Sequence, residues 1–470
     1  MKISDDTLDK IIKEKINLEN SYIPKDINEI FDKSINNIKT KRNYNIKKVA
    51  GICVALFAIA IIFGNTITTY ATSIPIISNL LEIFKSNRYE NYDKYSSDLN
   101  ITKESNGIKT TITNVIYDGI ELAIFYTIES EKPMKDIPYF LTKEIKIDDK
   151  LTTFGYGGFG SFSDNNKIYT GVISYNVGLN SIVPKEVQEK YLYGGYVYIP
   201  DEFMLSIKIN EIGDIKETET TTGDWTFDIP VSNEKLKGMV KEYDLNIDLS
   251  SIYEGSKLNK LITTPINTTI QGYIGGIDLY FIVLDDKGRF IIPKDGGGIG
   301  GDNGLYISTS FKQVFEDTES LTFIPYERNS YKLPKDISSS DNNVIEDYNL
   351  SSKLNINGET ILKSKEGKDF ITITRIENSS EKTKIYFKSD YGLLAAPKRI
   401  IDKTNNTTIS TIDNFDSQYI NTSRYLSETG EFMIEFDGIL TSEDYEIEYY
   451  DISEEVSIYN NEAFTIKLNK

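Results

Sequence analysis

Thr110 to Ile128 reads TTITNVIYDGIELAIFYTI. Apolar and polar residues alternate on both sides of Asp118-Gly119, a pair that readily adopts the positive-φ positions of a tight hairpin, so the stretch predicts two antiparallel strands with one face on a core. Two further stretches read alike: Thr268 to Leu284, TTIQGYIGGIDLYFIVL, about Gly275-Gly276, and Phe370 to Lys388, FITITRIENSSEKTKIYFK, about Asn378-Ser379-Ser380. Each follows a copy of Leu-Asn-Ile, at 99–101, 245–247 and 354–356, and the first two copies extend to Asp-Leu-Asn-Ile from Asp98 and Asp244. A segment that recurs ahead of a paired-strand pattern marks repeated modules. The expected modules are 98–235, 236–345 and 346–470, each an antiparallel, sandwich-like unit of short strands, with further turn signals at Asp285-Asp286-Lys287-Gly288 and Ser427-Glu428-Thr429-Gly430.

Composition agrees. The chain has 470 residues, enough for several domains, and its aromatics are 32 Tyr and 22 Phe against one Trp, a balance that favours strands. The fold class expected is mainly β, preceded by a helical head and one transmembrane helix.

The expected helix in the membrane is Val49 to Ala71, VAGICVALFAIAIIFGNTITTYA, 23 residues without a charge. That length covers a hydrocarbon core of about 30 Å, and the absence of a polar stripe before Asn65 argues against a core helix of a soluble protein. A signal peptide cleaved after Thr69-Tyr70-Ala71 is the other alternative, against which the 48 residues ahead of the run, patterned as a folded head, argue. From Lys33 to Lys48 the chain is basic without an acidic residue, including Lys39, Lys41, Arg42, Lys47 and Lys48, whereas the first charge after the run is Glu82. Such asymmetry keeps the basic flank in the cytoplasm and sends the C-terminal region outside. Of 52 basic and 71 acidic residues, 11 and 8 precede the run, leaving 41 and 63 beyond it, net −22. A region so acidic is not built to bind nucleic acid. Residues 72–97 form a juxtamembrane segment with a short helix expected in it.

The head, 1–48, predicts two amphipathic helices. Ser4 with Asp5, Asp6 and Asp9 opens the first, whose apolar stripe is Leu8, Ile11, Ile12 and Ile16; Pro24 opens the second, with Ile27, Ile30 and Phe31. Helices this short cannot bury their stripes unaided: the plain alternative is that they pack on each other or lie on the inner leaflet, but a partner protein is favoured, so Leu8, Ile11, Ile12, Ile16, Ile27, Ile30 and Phe31 are the expected partner-binding residues.

Chemistry is strongly bounded. The chain has no His, and its one Cys is Cys53, within the apolar run, so catalytic triads, thiol nucleophiles and the usual zinc sites are excluded, and the exported region has no disulfides. Gly155 to Gly160 and Gly296 to Gly301 lack the Gly-Lys-Ser/Thr ending of a phosphate loop and read as flexible loops. Asp148-Asp149 and Asp285-Asp286 read as solvated turns, without the spacing of a calcium loop. No catalytic residue, metal or cofactor is expected.

The order of helical head, basic flank and single span, followed by Tyr92-Asp93-Lys94-Tyr95-Ser96, Asn106-Gly107-Ile108, Asp118-Gly119-Ile120-Glu121-Leu122, Tyr126-Thr127-Ile128 and Gly223-Asp224-Trp225-Thr226-Phe227-Asp228-Ile229-Pro230-Val231, resembles a Firmicutes family. Its members are single-pass membrane proteins with an uncharacterised extracytoplasmic domain, regarded as anti-sigma factors. The resemblance covers roughly residues 1–270. It implies a cytoplasmic extracytoplasmic-function sigma factor as the partner of the head and an envelope signal outside. The head lacks the Cys and His of zinc-binding anti-sigma domains. The alternative expectation is an anchored surface protein for adhesion or ligand binding, with a structural cytoplasmic tail.

Overall fold

The computed structural model describes residues 91–468 apart from 153, 155, 192–198, 215–218, 277–278, 302–303, 329–348, 380–381, 393–395, 411–423, 442–443 and 451–455. The expected head (1–48), the apolar run 49–71 and residues 72–90 of the juxtamembrane segment lie outside the described residues. Among the described residues no helix is long and apolar enough to cross a membrane. What is described is mainly β: several antiparallel sheets and a few short helices.

The first two sheets contain β1 (Ser97–Ser105), β2 (Ile108–Tyr117), β3 (Glu121–Ser130), β4 (Pro138–Ile147), β5 (Lys150–Thr152), β6 (Tyr156–Ser163), β7 (Ile168–Asn176), β8 (Glu202–Asp214) and β9 (Thr220–Ser232). They pair in the orders β1-β2-β3-β7-β6 and β5-β4-β8-β9. Leu122, Ile124 and Ile128 of β3 pack against Leu205 and Ile207 of β8 and Trp225 and Phe227 of β9 in one core, so the two sheets form a sandwich. The indole nitrogen of Trp225 donates to the Ile108 carbonyl at 3.0 Å, which satisfies the one polar atom of that fully buried ring.

A second sandwich follows with β10 (Lys241–Asp248), β11 (Lys257–Thr263), β12 (Thr268–Ile274), β13 (Leu279–Asp285), β14 (Pro293–Gly300), β15 (Leu305–Phe311) and β16 (Ser320–Arg328). The third holds β17 (Asn349–Lys353), β18 (Thr360–Lys363), β19 (Asp369–Asn378), β20 (Lys382–Ser389), β21 (Pro397–Asp402), β22 (Thr407–Ser410), β23 (Arg424–Leu426), β24 (Glu431–Asp437) and β25 (Tyr445–Tyr450). The chain ends in β26 (Val456–Ile458) and β27 (Phe464–Lys467), which leave the third sandwich and pair with β16 of the second.

One connectivity recurs. Three consecutive strands pair in order (β1-β2-β3, β10-β11-β12, β18-β19-β20), and the third takes a later hairpin on its free side (β7-β6, β15-β14, β24-β23). The facing sheet is founded on β4-β8, β13-β16 and β21-β25. Beside β8, β16 and β25 the next strand has three origins: β9 directly follows β8, β26 and β27 arrive from beyond the third sandwich, and β17 is the first strand of the third sandwich.

The repeated Asp-Leu-Asn-Ile has a structural meaning. In β1 the pairing with β2 slips between Asp98 and Ile101, and in β10 the pairing with β11 slips between Asp244 and Ile247, so each copy is a bulge in the leading edge strand. The expected second hairpin, however, is one strand out of step. β12 and β13 enter opposite sheets, and the hairpin equivalent to β2-β3 is β11-β12; Gly275-Gly276 marks a crossing between sheets, which turn chemistry alone does not distinguish from a hairpin.

The glycine-rich stretches expected as loops are largely strands, β6 and β14. Their glycines admit neighbours at close range: a Cβ on Gly160 would lie 2.6 Å from the Tyr169 ring, and one on Gly297 2.8 Å from Leu179 Cδ1. Nor is Asp285 solvated. Its buried carboxylate accepts from the backbone nitrogens of Lys287 and Arg289 and lies 2.6 Å from the Arg289 guanidinium.

Candidate functional site

β3 is buried from Glu121 to Ile128, on both faces, where simple alternation predicts one. Its even-numbered residues fill the first sandwich; Ala123 and Phe125 look the other way and meet Ile116, Val172, Leu236, Tyr92 and Ile266. Ile266 belongs to the turn between β11 and β12, so the second sandwich covers this face of the first. Nearby, Leu179 and Val183 of the first sandwich's helical connection pack on Ile299 of β14, and the Asn176 amide donates to the Ser308 carbonyl at 2.8 Å.

A closed ionic cluster sits in this junction. It is assembled from the two equivalent hairpin turns, Asp118 to Glu121 of the first sandwich and Thr264 to Asn267 of the second, with Lys294 from β14, Ser174 from β7 and Tyr92 from the helix Tyr92–Tyr95. Asp118 folds its own turn, Oδ1 accepting from the backbone nitrogens of Ile120 (2.9 Å) and Glu121 (2.8 Å). Thr264 does the same across the junction, its hydroxyl oxygen accepting from the nitrogens of Ile266 and Asn267. The turns are then joined: Asp118 Oδ2 accepts from the Thr264 hydroxyl at 2.9 Å and from Asn267 Nδ2 at 2.7 Å.

Glu121 is the hub. Its carboxylate accepts from Lys294 Nζ at 2.5 Å, the Tyr92 hydroxyl at 2.6 Å, Asn267 Nδ2 at 2.9 Å and Ser174 Oγ at 2.5 Å. Lys294 also donates to Asn267 Oδ1 at 2.5 Å and to the Tyr92 hydroxyl, and its ammonium lies 4.5 Å from the centre of the Tyr92 ring. Relative exposure is 2% for Lys294, 5% for Glu121 and 2% for Asp118, so three charge-bearing groups are held out of water. This is tolerable only because each is hydrogen-bonded.

The two carboxyls are driven apart. Burial raises that of Asp118 above its ordinary 3.8, and the charge of Glu121 raises it further against the donated hydrogen bonds. Burial also opposes ionisation of Glu121, but the charge of Lys294 and the hydrogen bonds from Lys294, Ser174 and Tyr92 outweigh it and hold the group below its ordinary 4.5. The arrangement is suited to fixing the geometry between two sandwiches and the segment that enters them. Among the described residues no group of His, Cys, Asp or Glu is disposed to hold a metal ion.

The residues singled out in the head, Leu8, Ile11, Ile12, Ile16, Ile27, Ile30 and Phe31, and the flank Lys39, Lys41, Arg42, Lys47 and Lys48 lie outside the described residues. Asp118 and Glu121 figured in the sequence only as hairpin and resemblance residues. Lys294, Asn267 and Thr264 carry no chemical motif; a lone lysine in Ile291-Ile292-Pro293-Lys294 and the turn Thr264-Pro265-Ile266-Asn267 are their only traces.

Residues 41–130 match a domain of unknown function, DUF4179, and residues 240–357 match a family of unknown function, DUF5643. The first match runs from the basic flank through the apolar run to β3; the second begins with β10. Among solved structures the chain is similar to the crystal structure of the conserved domain protein from Bacillus anthracis, at 22% identity and a TM-score of 0.39, over 60% of this chain and 87% of that one. No curated protein matches the chain.

Proposed function

We propose that the chain is a single-pass membrane regulator: residues 49–71 anchor it, the β region lies outside and responds to the envelope, and the cytoplasmic helices hold an extracytoplasmic-function sigma factor inactive. The observation that carries this reading is the place of Tyr92. In sequence it lies between the proposed span and β1, and its hydroxyl is bound to Glu121 of the first sandwich and Lys294 of the second. A change in how those sandwiches meet would alter the hold on the segment that leads toward residues 49–71, a route by which an outside event reaches an inside partner. The family resemblance supplies the nature of that partner.

Transcript profiling of Phe31→Asp against wild type tests the reading. A charge in a desolvated helix contact releases the partner, so a discrete regulon including the protein's own operon is induced. An unchanged profile with normal membrane insertion overturns it.

A further inference from the structure

Among the described residues, the strands beside β16 on the side away from β13 do not come from the second sandwich's own contiguous residues. In the first sandwich that place is filled by β9 and in the third by β17, each from its sandwich's own contiguous stretch; here it is filled by strands that follow the third sandwich. β27 pairs with Ser320 to Phe323 and β26 with Tyr326 to Arg328. Between them Pro325, which has no N–H, offers only its carbonyl, and Tyr459 donates to it at 2.9 Å as the incoming segment turns through Asn460–Glu462.

The incoming segment carries its own core residues. Phe464, Ile466 and Leu468, two apart and so on one face of a strand, join the second sandwich's core; the Phe464 ring stacks on Phe323 at 5.4 Å with 3° between planes and meets Phe281 edge-on at 6.3 Å. Leu468 N donates to the Glu319 carbonyl at 2.8 Å, and the hydroxyls of Thr322 and Thr465 lie 2.9 Å apart. Main-chain bonds to β16 give affinity and a row of apolar sockets gives selectivity, the two elements of strand-addition recognition.

We propose that the outer edge of β16 is a strand-acceptor site for an extended peptide with apolar residues at alternate positions, and that the chain's own residues 456–468 are its resident, exchangeable occupant. The proposal stands independently of the regulatory reading.

The test uses full-length chain in detergent, with Cys53→Ser as background, and a labelled peptide of residues 456–468. Thr322→Cys with Thr465→Cys, a directly opposed pair, locks the resident strand by disulfide. The peptide is expected to be captured by the unlocked chain and by a chain ending at residue 455, and several-fold less by the locked one. A peptide carrying Phe464→Asp is expected not to be captured. In the shortened chain, capture also restores protease resistance to the second sandwich. Equal capture by locked and unlocked chains, equal capture of the two peptides, or unchanged protease resistance after shortening overturns the proposal. Where the shortened chain does not fold, the comparison of locked and unlocked full-length chains decides it.

Discussion

Lys294 Nζ lies 2.5 Å from Glu121 Oε2 across the junction of the first and second sandwiches, and both side chains are almost wholly out of water. Removing one member strands the other. Lys294→Met leaves the Glu121 charge uncompensated and is expected to cost about 3–5 kcal/mol. The pair Glu121→Gln with Lys294→Met, which removes both charges, is expected to recover a large part of that loss. Chemical denaturation of the single and double variants checks the coupling.

The response to pH follows from the opposite shifts of the two carboxyls. Glu121 is depressed, so its contribution is present above its ordinary value of 4.5 and is lost as pH falls through its lower native value. Asp118 is raised, so its contribution is complete below 3.8 and is lost as pH climbs through its higher native value. Glu121→Gln is therefore expected to flatten the acid side of the stability profile, whereas Asp118→Asn flattens the rise in destabilisation above pH 3.8. Denaturation midpoints measured across the acid range distinguish the two.

Trp225 is the chain's one tryptophan and reports on the first sandwich alone. Trp225→Phe removes the hydrogen bond to the Ile108 carbonyl and is expected to destabilise that sandwich by about 1–3 kcal/mol. With Trp225 retained, a shift of the fluorescence transition caused by Lys294→Met would show that the junction stabilises the first sandwich; an unchanged transition would confine the loss to the second.

The second and third sandwiches are pinned by Phe290, whose ring lies 5.7 Å from Tyr425 and 5.2 Å from Phe432 at the edge of the third core. Phe290→Ala removes a partly buried ring and is expected to cost about 2 kcal/mol. The change is expected to speed limited proteolysis within the third sandwich without moving the Trp225 transition.

The lysine asymmetry around residues 49–71 predicts that protease added to intact protoplasts removes the region beyond residue 72 and spares the head. Protection of a C-terminal epitope in sealed cells would reverse that orientation.

The β class and the repetition were legible because alternation along Thr110 to Ile128 and the Asp-Leu-Asn-Ile copies are local signals. The pairing of distant strands was not. Nothing local in Thr268 to Leu284 says that β12 and β13 part into opposite sheets, and nothing in Phe464 to Lys467 says that they belong beside β16. The ionic cluster was hidden for the same reason: Asp118 and Asn267 are ordinary turn residues, and only the docking of two equivalent hairpins gives them a common function. The glycines of β6 and β14 misled because close packing and loop freedom call on the same residue.

The return of β26 and β27 also orders events in time. A ribosome delivers Phe464 only after the whole third sandwich has been made, so the second sandwich has to wait, with β16 open, while both of its neighbours have the residues they need to close. Long separations of this kind slow folding more than they weaken the final state. The middle of the molecule is thus the last part to mature, and a nascent or stalled chain is recognisable by a gap in its centre and not by a ragged end.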